Sequence, residues 1–321
     1  MKRLLVLMVA AVLAAGSAAA QVGPKAAGAA LPREVRISYV KSPFNLPLIV
    51  AVKRGMIKDA FAKLGVGVEF YEIDSGAKQT EAMAAGSLDI ASVINTTSVI
   101  LADAGGNDVK IVSGFSRPTG LFAIVAKDPA IATPADLKGR TVAGPKGTVL
   151  HQLLAAALAK SGLSMDDVRF LQMDIPEARA ALLAGRVDAA LLAAANVLSA
   201  QAAGAHVVVT AEGYVKPQLV VAAAGAFLAK YPRLVDLYVS VNKEALAWIA
   251  SHPDEALAIG AAEQNIGLPE ARTLADESHF TSEIGPAQVA ALGDDVQFML
   301  DVGMLRRPVK PESLLRPGLV P

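Results

Sequence analysis

The sequence predicts an α/β protein made of two similar lobes. Short apolar runs rich in β-branched residues alternate with longer alanine-rich segments of helical pattern, which is typical of parallel βαβ units. A helix that ends at a glycine and leads into a strand occurs around Gly86 and again around Gly185, and the same spacing separates Asp89 from Asp188. This internal repeat favours two lobes of related topology.

The first set of elements occupies residues 35–126. Apolar and β-branched runs predict strands at 35–40, 66–71, 88–93, 109–113 and 121–126. Helical patterns predict helices at 46–54, 77–85 and 97–104. Gly55 and Gly86 end the first two helices, because glycine adopts the left-handed conformation of a helix terminus without strain.

The second set repeats this order. It is predicted to contain a helical turn at 134–137, strands at 141–143, 187–192 and 219–224, a helix at 148–160 stopped by Gly162, and a helix that ends at Gly185. From Leu234 onward the pattern is helical, with an apolar face that includes Trp248. Proline residues that can begin new helices stand at positions 253, 269 and 286.

We expect the helical tail to pack on the first lobe, since it has no strands of its own. Lobe 1 would then comprise residues 34–124 and 222–321, and lobe 2 residues 125–221. The apolar strands at 121–126 and 219–224 are the predicted crossings between the lobes. Two crossings of this kind form a hinge.

The amino terminus has the pattern of a secretory signal peptide at residues 1–20. Lys2 and Arg3 precede an apolar run, and small residues precede Gln21. Residues 21–33, rich in Gly, Ala and Pro, are predicted to be a flexible leader. The chain has no cysteine and therefore no lipid-acceptor thiol, and no later stretch predicts a membrane span. We expect a periplasmic protein without a lipid anchor.

Composition excludes several classes of function. The 30 basic residues balance the 30 acidic ones, so nucleic acid is not an expected partner. The absence of cysteine removes thiolate metal sites, and the four histidines lack metal-ligand spacing, so neither a metal nor another cofactor is expected. The sequence contains no Gly-x-Ser-x-Gly motif, and Asp89 and Asp188 are expected to be structural because each opens an equivalent strand. These observations predict binding rather than catalysis.

Candidate ligand-binding residues follow the strands. Ligands of open parallel sheets bind beyond the carboxyl ends of the strands, where helix N-termini suit anions. Four such junctions, two in each lobe, carry small polar groups; their candidate residues are Ser42, Phe44, Asn45, Asn95, Thr96, Gly147, Thr148 and Asn196. Arg117 follows the strand at 109–113 and is a candidate to hold a carboxylate or sulfonate at the cleft edge.

Each candidate also has a structural interpretation. Ser, Thr and Asn commonly cap helices, Arg117 is equally compatible with a solvated surface, and Phe44 stands beside Pro43 and Leu46 as a core aromatic would. Lys146 lies in a glycine-containing loop, but the Gly-Lys-Ser/Thr order of a nucleotide-binding loop is absent. Convergence of the four junctions is what favours a binding cleft.

The segment 133–143, Thr-Pro-Ala-Asp-Leu-Lys-Gly-Arg-Thr-Val-Ala, resembles the ABC-transporter substrate-binding proteins for sulfonates, taurine and nitrate, a family that includes thiamine-pyrimidine binders. Further matches are Gly147-Thr148, residues 178–181, Gly185, residues 187–189 and Gly55. The resemblance implies a type II periplasmic-binding-protein fold, each lobe a mostly parallel sheet flanked by helices. It also implies a small organic, anionic ligand, and as partners an inner-membrane ABC permease and its ATPase. We expect a monomer.

The resemblance supports Ser42, Asn95 and Thr148 more than Asn45. Many sulfonate-binding relatives carry Trp-Asp-Pro where this chain has Ala193-Ala194-Ala195 before Asn196. The smaller, uncharged wall is expected to leave room for a larger or more apolar ligand.

Two other classes of function remain open. This fold also hosts enzymes, among them pyrimidine synthases and menaquinone-pathway lyases, and the effector domains of transcription regulators. The signal peptide and the absence of cysteine argue against the enzymes, and the absence of a helix-turn-helix argues against a regulator.

Overall fold

The computed structural model describes residues 30–40 and 42–320. The predicted signal peptide and most of the leader lie outside these residues. Within the described part of the chain, no helix is long and apolar enough to cross a membrane.

Two five-stranded mixed sheets form the framework. The first has the order β2-β1-β3-β10-β4, from strands β1 (Glu34–Tyr39), β2 (Gly67–Glu72), β3 (Ile90–Asn95), β4 (Val109–Ser116) and β10 (Leu219–Ala224). The second has the order β7-β6-β8-β5-β9, from strands β5 (Phe122–Ala126), β6 (Thr141–Gly144), β7 (Arg169–Gln172), β8 (Ala189–Ala193) and β9 (His206–Thr210). In each sheet the fourth strand of the order, β10 or β5, runs antiparallel to both of its neighbours. We call the first sheet with its helices lobe 1 and the second lobe 2.

Helices flank both sheets. Lobe 1 carries α1 (Leu46–Lys53), α2 (Met56–Ala62), α3 (Gly76–Ala84) and α4 (Thr96–Ala104), and lobe 2 carries α5 (Val149–Lys160), α6 (Ile175–Leu183) and α7 (Ala195–Ala202). The carboxyl-terminal helices are α8 (Gly225–Lys230), α9 (Pro232–Ser251), α10 (Pro253–Gln264), α11 (Leu268–Ser278) and α12 (Pro286–Asp301). Short 3₁₀ helices are η1 (Pro134–Leu137), η2 (Met165–Asp167) and η3 (Pro311–Leu314). Helices α9 and α10 pack on α1, and α12 packs on α4, so this tail covers lobe 1.

The internal repeat is structural. The Asp89 carboxylate accepts from the backbone N–H of Arg36 at 2.8 Å, and the Asp188 carboxylate accepts from the backbone N–H of Thr141 at 2.7 Å. Asp89 thereby joins the start of β3 to the start of β1, and Asp188 joins the start of β8 to the start of β6. The guanidinium of Arg36 also pairs with Asp89, at 2.7 Å. The predicted structural role of both aspartates is confirmed.

The crossings between the sheets precede the apolar strands. β5 pairs with β8 and β9 along its length, and β10 pairs with β3 and β4, so each of the two strands lies whole in one sheet. The chain therefore passes from one sheet to the other through residues 117–121 and 211–218. The residue boundaries of the lobes given above stay a prediction.

Candidate functional site

A cavity lies between the two sheets, where the carboxyl ends of the parallel strands of both lobes face each other. Its volume is about 50 Å³. Lobe 1 contributes Val40, Ser42, Pro43, Asp74, Ser75, Gly76, Gln79, Val93, Ile94, Asn95 and Leu219. Lobe 2 contributes Phe122, Pro145, Thr148, Val149, Leu150, Asp174 and Ile175. We call this cavity the cleft pocket.

Four helices begin at the cleft pocket. The residues that precede α3, α4, α5 and α6 are Ser75, Asn95, Thr148 and Asp174, and all four line the pocket. Two of these helices belong to each lobe. The first turn of a helix presents free backbone N–H groups and the positive end of the helix dipole, so the arrangement favours a negatively charged group in the pocket.

Three of the predicted ligand-binding residues line the cleft pocket: Ser42, Asn95 and Thr148. The side chain of Asn95 also caps α4, since its Oδ1 accepts from the backbone N–H of Ser98 at 2.9 Å. The hydroxyl of Thr148 donates to the carbonyl of Pro145 at 2.8 Å. Both interpretations of the sequence, pocket lining and local hydrogen bonding, therefore describe the same side chains.

The structure does not bring the other candidates to the pocket lining. Phe44 is 1 % exposed and packs in an apolar cluster with Leu121 and Ala194, because its apolar ring is shielded better there than in a polar cleft. The amide of Asn45 donates to the Val40 carbonyl at 3.0 Å, and this bond holds it inside the loop. Thr96 is buried in the first turn of α4.

Gly147, Asn196 and Arg117 also lie outside the lining. Gly147 has a φ of 70° in the turn before α5, and Asn196 lies in the first turn of α7. The guanidinium of Arg117 donates to the backbone carbonyl of Glu283 at 2.8 Å, so it is held against the carboxyl-terminal region and not over the pocket. The expectation that Arg117 holds the ligand is not supported by this position.

The alanines of lobe 2 do not open extra space. Ala194 is 3 % exposed and packs in the same cluster as Phe44 of lobe 1 and Leu121 of the connecting segment. The small side chains thus let the two lobes approach closely at this point. The expected room for a larger ligand is filled by protein.

The polar pocket residues that the sequence analysis missed come from two further junctions. Asp74, Ser75, Gly76 and Gln79 follow β2, and Asp174 follows β7. Both junctions carry a signal that identifies them: Ser75-Gly76 stands before a helical pattern, and Asp174 stands three residues before Glu177, as in a capping box. The neighbouring positions of β2 and β1, and of β7 and β6, bring these junctions to the same end of each sheet.

The charged residues among the described lining are Asp74 and Asp174. Asp174 is paired across the lobes with Lys78 on α3, with 2.5 Å between Nζ and Oδ2, and this bond raises the pKa of Lys78. The Asp74 carboxylate accepts from the backbone N–H of Ser42 at 3.3 Å. Part of the negative charge at the pocket is therefore neutralised by a cation of the opposite lobe.

His151 lies in the first turn of α5. Burial, together with the positive charge of Lys146, lowers the pKa of His151 to about 4. Its ring packs on Phe170, with 4.9 Å between the ring centroids, so it is a neutral packing residue at neutral pH. Among the described residues, no group of three His, Cys, Asp or Glu side chains is arranged to hold a metal ion.

Comparison with known proteins assigns the family. The sequence model described as "NMT1/THI5 like" matches residues 43–256. The chain belongs to the NMT1/THI5-like family. It is 32 % identical over 230 residues to a protein of Bacillus subtilis (strain 168) named as an aliphatic sulfonates-binding protein, a match that covers 70 % of this chain and 68 % of that one.

A protein of Escherichia coli (strain K12) with the same name is 30 % identical over 158 residues. This match spans 49 % of the NMT1/THI5-like chain and 48 % of the Escherichia coli protein, about half the length of each.

Solved structures share the fold. The alkanesulfonate-binding protein of Xanthomonas axonopodis pv. citri bound to MOPS superposes with a TM-score of 0.80 at 22 % identity, covering 90 % of this chain and 99 % of that one. The periplasmic aliphatic sulphonate binding protein of Escherichia coli superposes with a TM-score of 0.72 at 22 % identity, covering 89 % and 98 %. The predicted two-lobed periplasmic-binding-protein fold is confirmed.

Proposed function

We propose that this protein is the periplasmic solute-binding component of an ABC importer and that it captures a small organic anion of the sulfonate class between its lobes. The observation that carries the proposal is the convergence of four helix N-termini, two from each lobe, on one pocket. A ligand bound there contacts both lobes at once. Such a ligand stabilises the closed arrangement, which is the form that a permease can recognise.

The helix N-termini account for an anionic head group. A sulfonate has three oxygen acceptors and one negative charge, and it suits the free N–H groups of several helix first turns. Asn95 adds an amide to the lining, and amide N–H groups donate to oxygen. A single negative charge fits better than two, because the carboxylate of Asp74 also lines the pocket.

The apolar half of the lining accounts for an organic rather than an inorganic anion. Val40, Val93, Ile94, Phe122 and Leu219 contribute aliphatic and aromatic surface. Burial of a hydrocarbon chain against such surface contributes about 25 cal/mol for each Å² removed from water. Nitrate would leave this surface without a partner, so an alkanesulfonate is the better match.

The size of the cleft pocket implies that the lobes open to admit the ligand. A cavity of about 50 Å³ holds only a few water molecules, since one water needs roughly 10–15 Å³ measured in this way. An alkanesulfonate is larger. Movement about the two connecting segments, residues 117–121 and 211–218, would widen the pocket without breaking either sheet.

The proposed partners follow from the family. Relatives of this chain include one named as an ABC transporter periplasmic binding protein, which is 28 % identical over 208 residues. The proposed partner is therefore an inner-membrane permease, which receives the ligand, together with its ATPase. The proposed form of the protein in the periplasm is a monomer.

A thermal-shift screen of the purified protein tests the proposal. The panel contains alkanesulfonates of increasing chain length, MOPS, taurine, matched carboxylates, nitrate and pyrimidines. A true ligand at 100 times its dissociation constant should stabilise the fold by about 2.7 kcal/mol. We expect the largest shift with an alkanesulfonate, and mass spectrometry should recover that compound unchanged. Stabilisation by pyrimidines alone, or steady conversion of the bound compound, would reject the proposal.

A further inference from the structure

Gln152 of lobe 2 is held by two separate helices of lobe 1. Its Oε1 accepts from the hydroxyl of Thr97 on α4 at 2.6 Å, and its Nε2 donates to the carboxylate of Asp295 on α12 at 2.7 Å. Thr97 and Gln152 are 1 % and 2 % exposed. Both ends of the amide thus have a partner in lobe 1.

Thr97 and Gln152 lie on helices that begin at the cleft pocket. Asn95, which lines the pocket, caps the same α4 that carries Thr97, and Thr148 precedes the α5 that carries Gln152. A second bond, from the hydroxyl of Ser98 to the carbonyl of Gly147 at 2.7 Å, joins the same two helix starts. The contact at Gln152 therefore sets how closely the two pocket walls approach.

Separation of the lobes must break both bonds of Gln152. The break leaves Thr97 without its acceptor, and leaves Asp295 and the amide to find water as new partners. Beside this contact lies a second cavity of about 280 Å³, through which water can reach Asp295. Its lining includes Gln152, Tyr214, Lys216, Asp294, Asp295 and Phe298.

We propose that Gln152 and Asp295 form a proton-sensitive latch between the lobes, in which protonation of Asp295 favours closure. The latch acts through the position of the lobes and touches no ligand, so both are positioning residues. The inference rests on the proposed function, because it requires lobes that open and close about the hinge.

The surroundings of Asp295 give the latch its sensitivity to pH. Burial raises the pKa of Asp295 to about 6; the hydrogen bond from Gln152 and the charge of Lys216 oppose this effect, and the charge of Asp294 adds to it. Tyr214 and Lys216 come from the connecting segment, and Asp294 from α12 itself. On the other packed elements, His151 and Lys160 are the titratable residues of α5, Asp103 is the charged residue of α4, and Glu312 is that of η3.

The sign of the effect follows from these positions. In the closed form Asp295 is half-buried between the lobes, with its pKa raised to about 6. Separation of the lobes exposes Asp295 fully to water, and its pKa then returns toward the ordinary value of 3.8. Closure therefore takes up a proton, and a fall from pH 7.5 to pH 5 should raise the ratio of closed to open protein by about tenfold.

Distance measurements on ligand-free protein test the latch. The chain has no cysteine, so Ala85→Cys and Ala184→Cys give one labelling site in each lobe, at exposed and matching helix ends. Single-molecule energy transfer between dyes at these sites gives the closed and open populations in solution. We expect the closed population of the parent to rise by about tenfold relative to the open one between pH 7.5 and pH 5.

Three variants separate the latch from general effects of acid. Asp295→Asn is neutral at every pH, keeps an acceptor for Gln152, and should favour closure at both pH values with no pH response. Gln152→Leu should lower the ratio of closed to open protein at pH 7.5 by about tenfold, since it removes both bonds. Asp294→Asn, which replaces the exposed neighbour that makes no bond to Gln152, should keep a pH response, smaller than that of the parent because the charge of Asp294 contributes to the raised pKa of Asp295.

The inference is overturned if the parent shows no change of populations with pH, or if Asp295→Asn responds to pH as the parent does. It is also overturned if Gln152→Leu, shown to be folded by circular dichroism, closes as well as the parent. Because no ligand is used, these outcomes do not depend on sulfonate binding. A working latch in a protein that binds no sulfonate would reject only the proposed ligand.

Discussion

The polar side chains of the cleft pocket differ in what they can still offer a ligand. The hydroxyl proton of Thr148 is already donated to Pro145, so this side chain can only accept. The carbonyl oxygen of Asn95 is occupied by Ser98, whereas its amide group is a donor. An anion requires donors. Asn95 is therefore a pocket side chain on which anion binding should depend.

Substitution of Asn95 by Ala should weaken binding of an alkanesulfonate by about 1 to 3 kcal/mol, because the anion loses a buried donor. The variant should also lose about 1 kcal/mol of stability, since the cap of α4 is removed. Titration calorimetry measures the first effect and urea denaturation the second. Arg117→Ala is the matched control and should bind like the parent, because Arg117 lies against Glu283. A larger loss of affinity in the control than in Asn95→Ala would contradict this placement.

The buried His151 should make the protein less stable in acid. Its pKa in the fold is about 4, below the ordinary value of 6.5, so the unfolded chain binds the proton more readily between these values. Stability from this residue is present above pH 6.5 and is lost as the pH falls toward 4. Between pH 7 and pH 4.5 the loss should be about 2 kcal/mol.

Urea denaturation of the parent and of His151→Asn at the two pH values isolates this effect. Between pH 7 and pH 4.5 the free energy of unfolding of the parent should fall by about 2 kcal/mol relative to that of His151→Asn. A difference that is independent of pH would show that His151 is hydrated and titrates normally.

Side-chain positions were predictable from sequence where they depend on local order. Ser42, Asn95 and Thr148 stand directly after strands, and the structure places all three at the pocket. The positions of Phe44 and Arg117 depend on which distant segments pack against them, Leu121 in one case and Glu283 in the other. Such long-range partners leave no local pattern, so those two residues were misplaced.

At the scale of elements, the close approach of α3 to α4 depends on one glycine. A Cβ on Gly76 would lie 2.6 Å from the hydroxyl of Ser98 and 2.7 Å from the amide nitrogen of Asn95. Real Cβ contacts are not this short, so any larger residue must displace the start of α3 or the cap of α4. Both are walls of the cleft pocket.

Replacement of Gly76 by Ala should therefore weaken ligand binding at least tenfold and lower stability by about 1 to 3 kcal/mol. Gly293→Ala is a matched control within α12, where the nearest atom to a new Cβ is Pro311 Cγ at 3.7 Å. The control should leave affinity unchanged and stabilise the helix by up to about 1 kcal/mol. Calorimetry and urea denaturation compare the two variants. Unchanged affinity in Gly76→Ala would show that α3 does not form a wall of the site.

Most strands and helices were predictable because their periodicity is strong. The strands β3, β5 and β8 are buried throughout, and they were expected within two residues of their ends. β7 was missed because this edge strand has only four residues, with exposed ends. The predicted helix at 46–54 is followed by a second helix, α2, because Gly55 in the left-handed conformation turns the chain and does not end helical structure there.

At the scale of the molecule, the two lobes share one topology. In the first sheet β1 lies between β2 and β3, and in the second β6 lies between β7 and β8. The strand that follows each crossing, β10 or β5, pairs antiparallel with β3 or β8. This identity explains why the helix starts of the two lobes face one another across the pocket. The repeat around Gly86 and Gly185 predicted the identity from sequence, whereas the exact crossing points required the strand pairing.

The central claim is that the ligand enters a cleft which opens between the lobes, and a reversible lock across that cleft tests it most directly. A Cβ on Gly147 of lobe 2 would lie 3.8 Å from the Cβ of Ala77 of lobe 1, a separation suited to a disulfide. The chain has no other cysteine to interfere with Ala77→Cys/Gly147→Cys.

The measurement is titration calorimetry of the oxidised and the reduced double variant with the alkanesulfonate that stabilises the parent most. The account predicts that the oxidised protein, locked without ligand, shows no binding, and that reduction restores an affinity within about tenfold of the parent. Equal binding by the oxidised and the reduced forms would contradict a cleft that must open to take up its ligand.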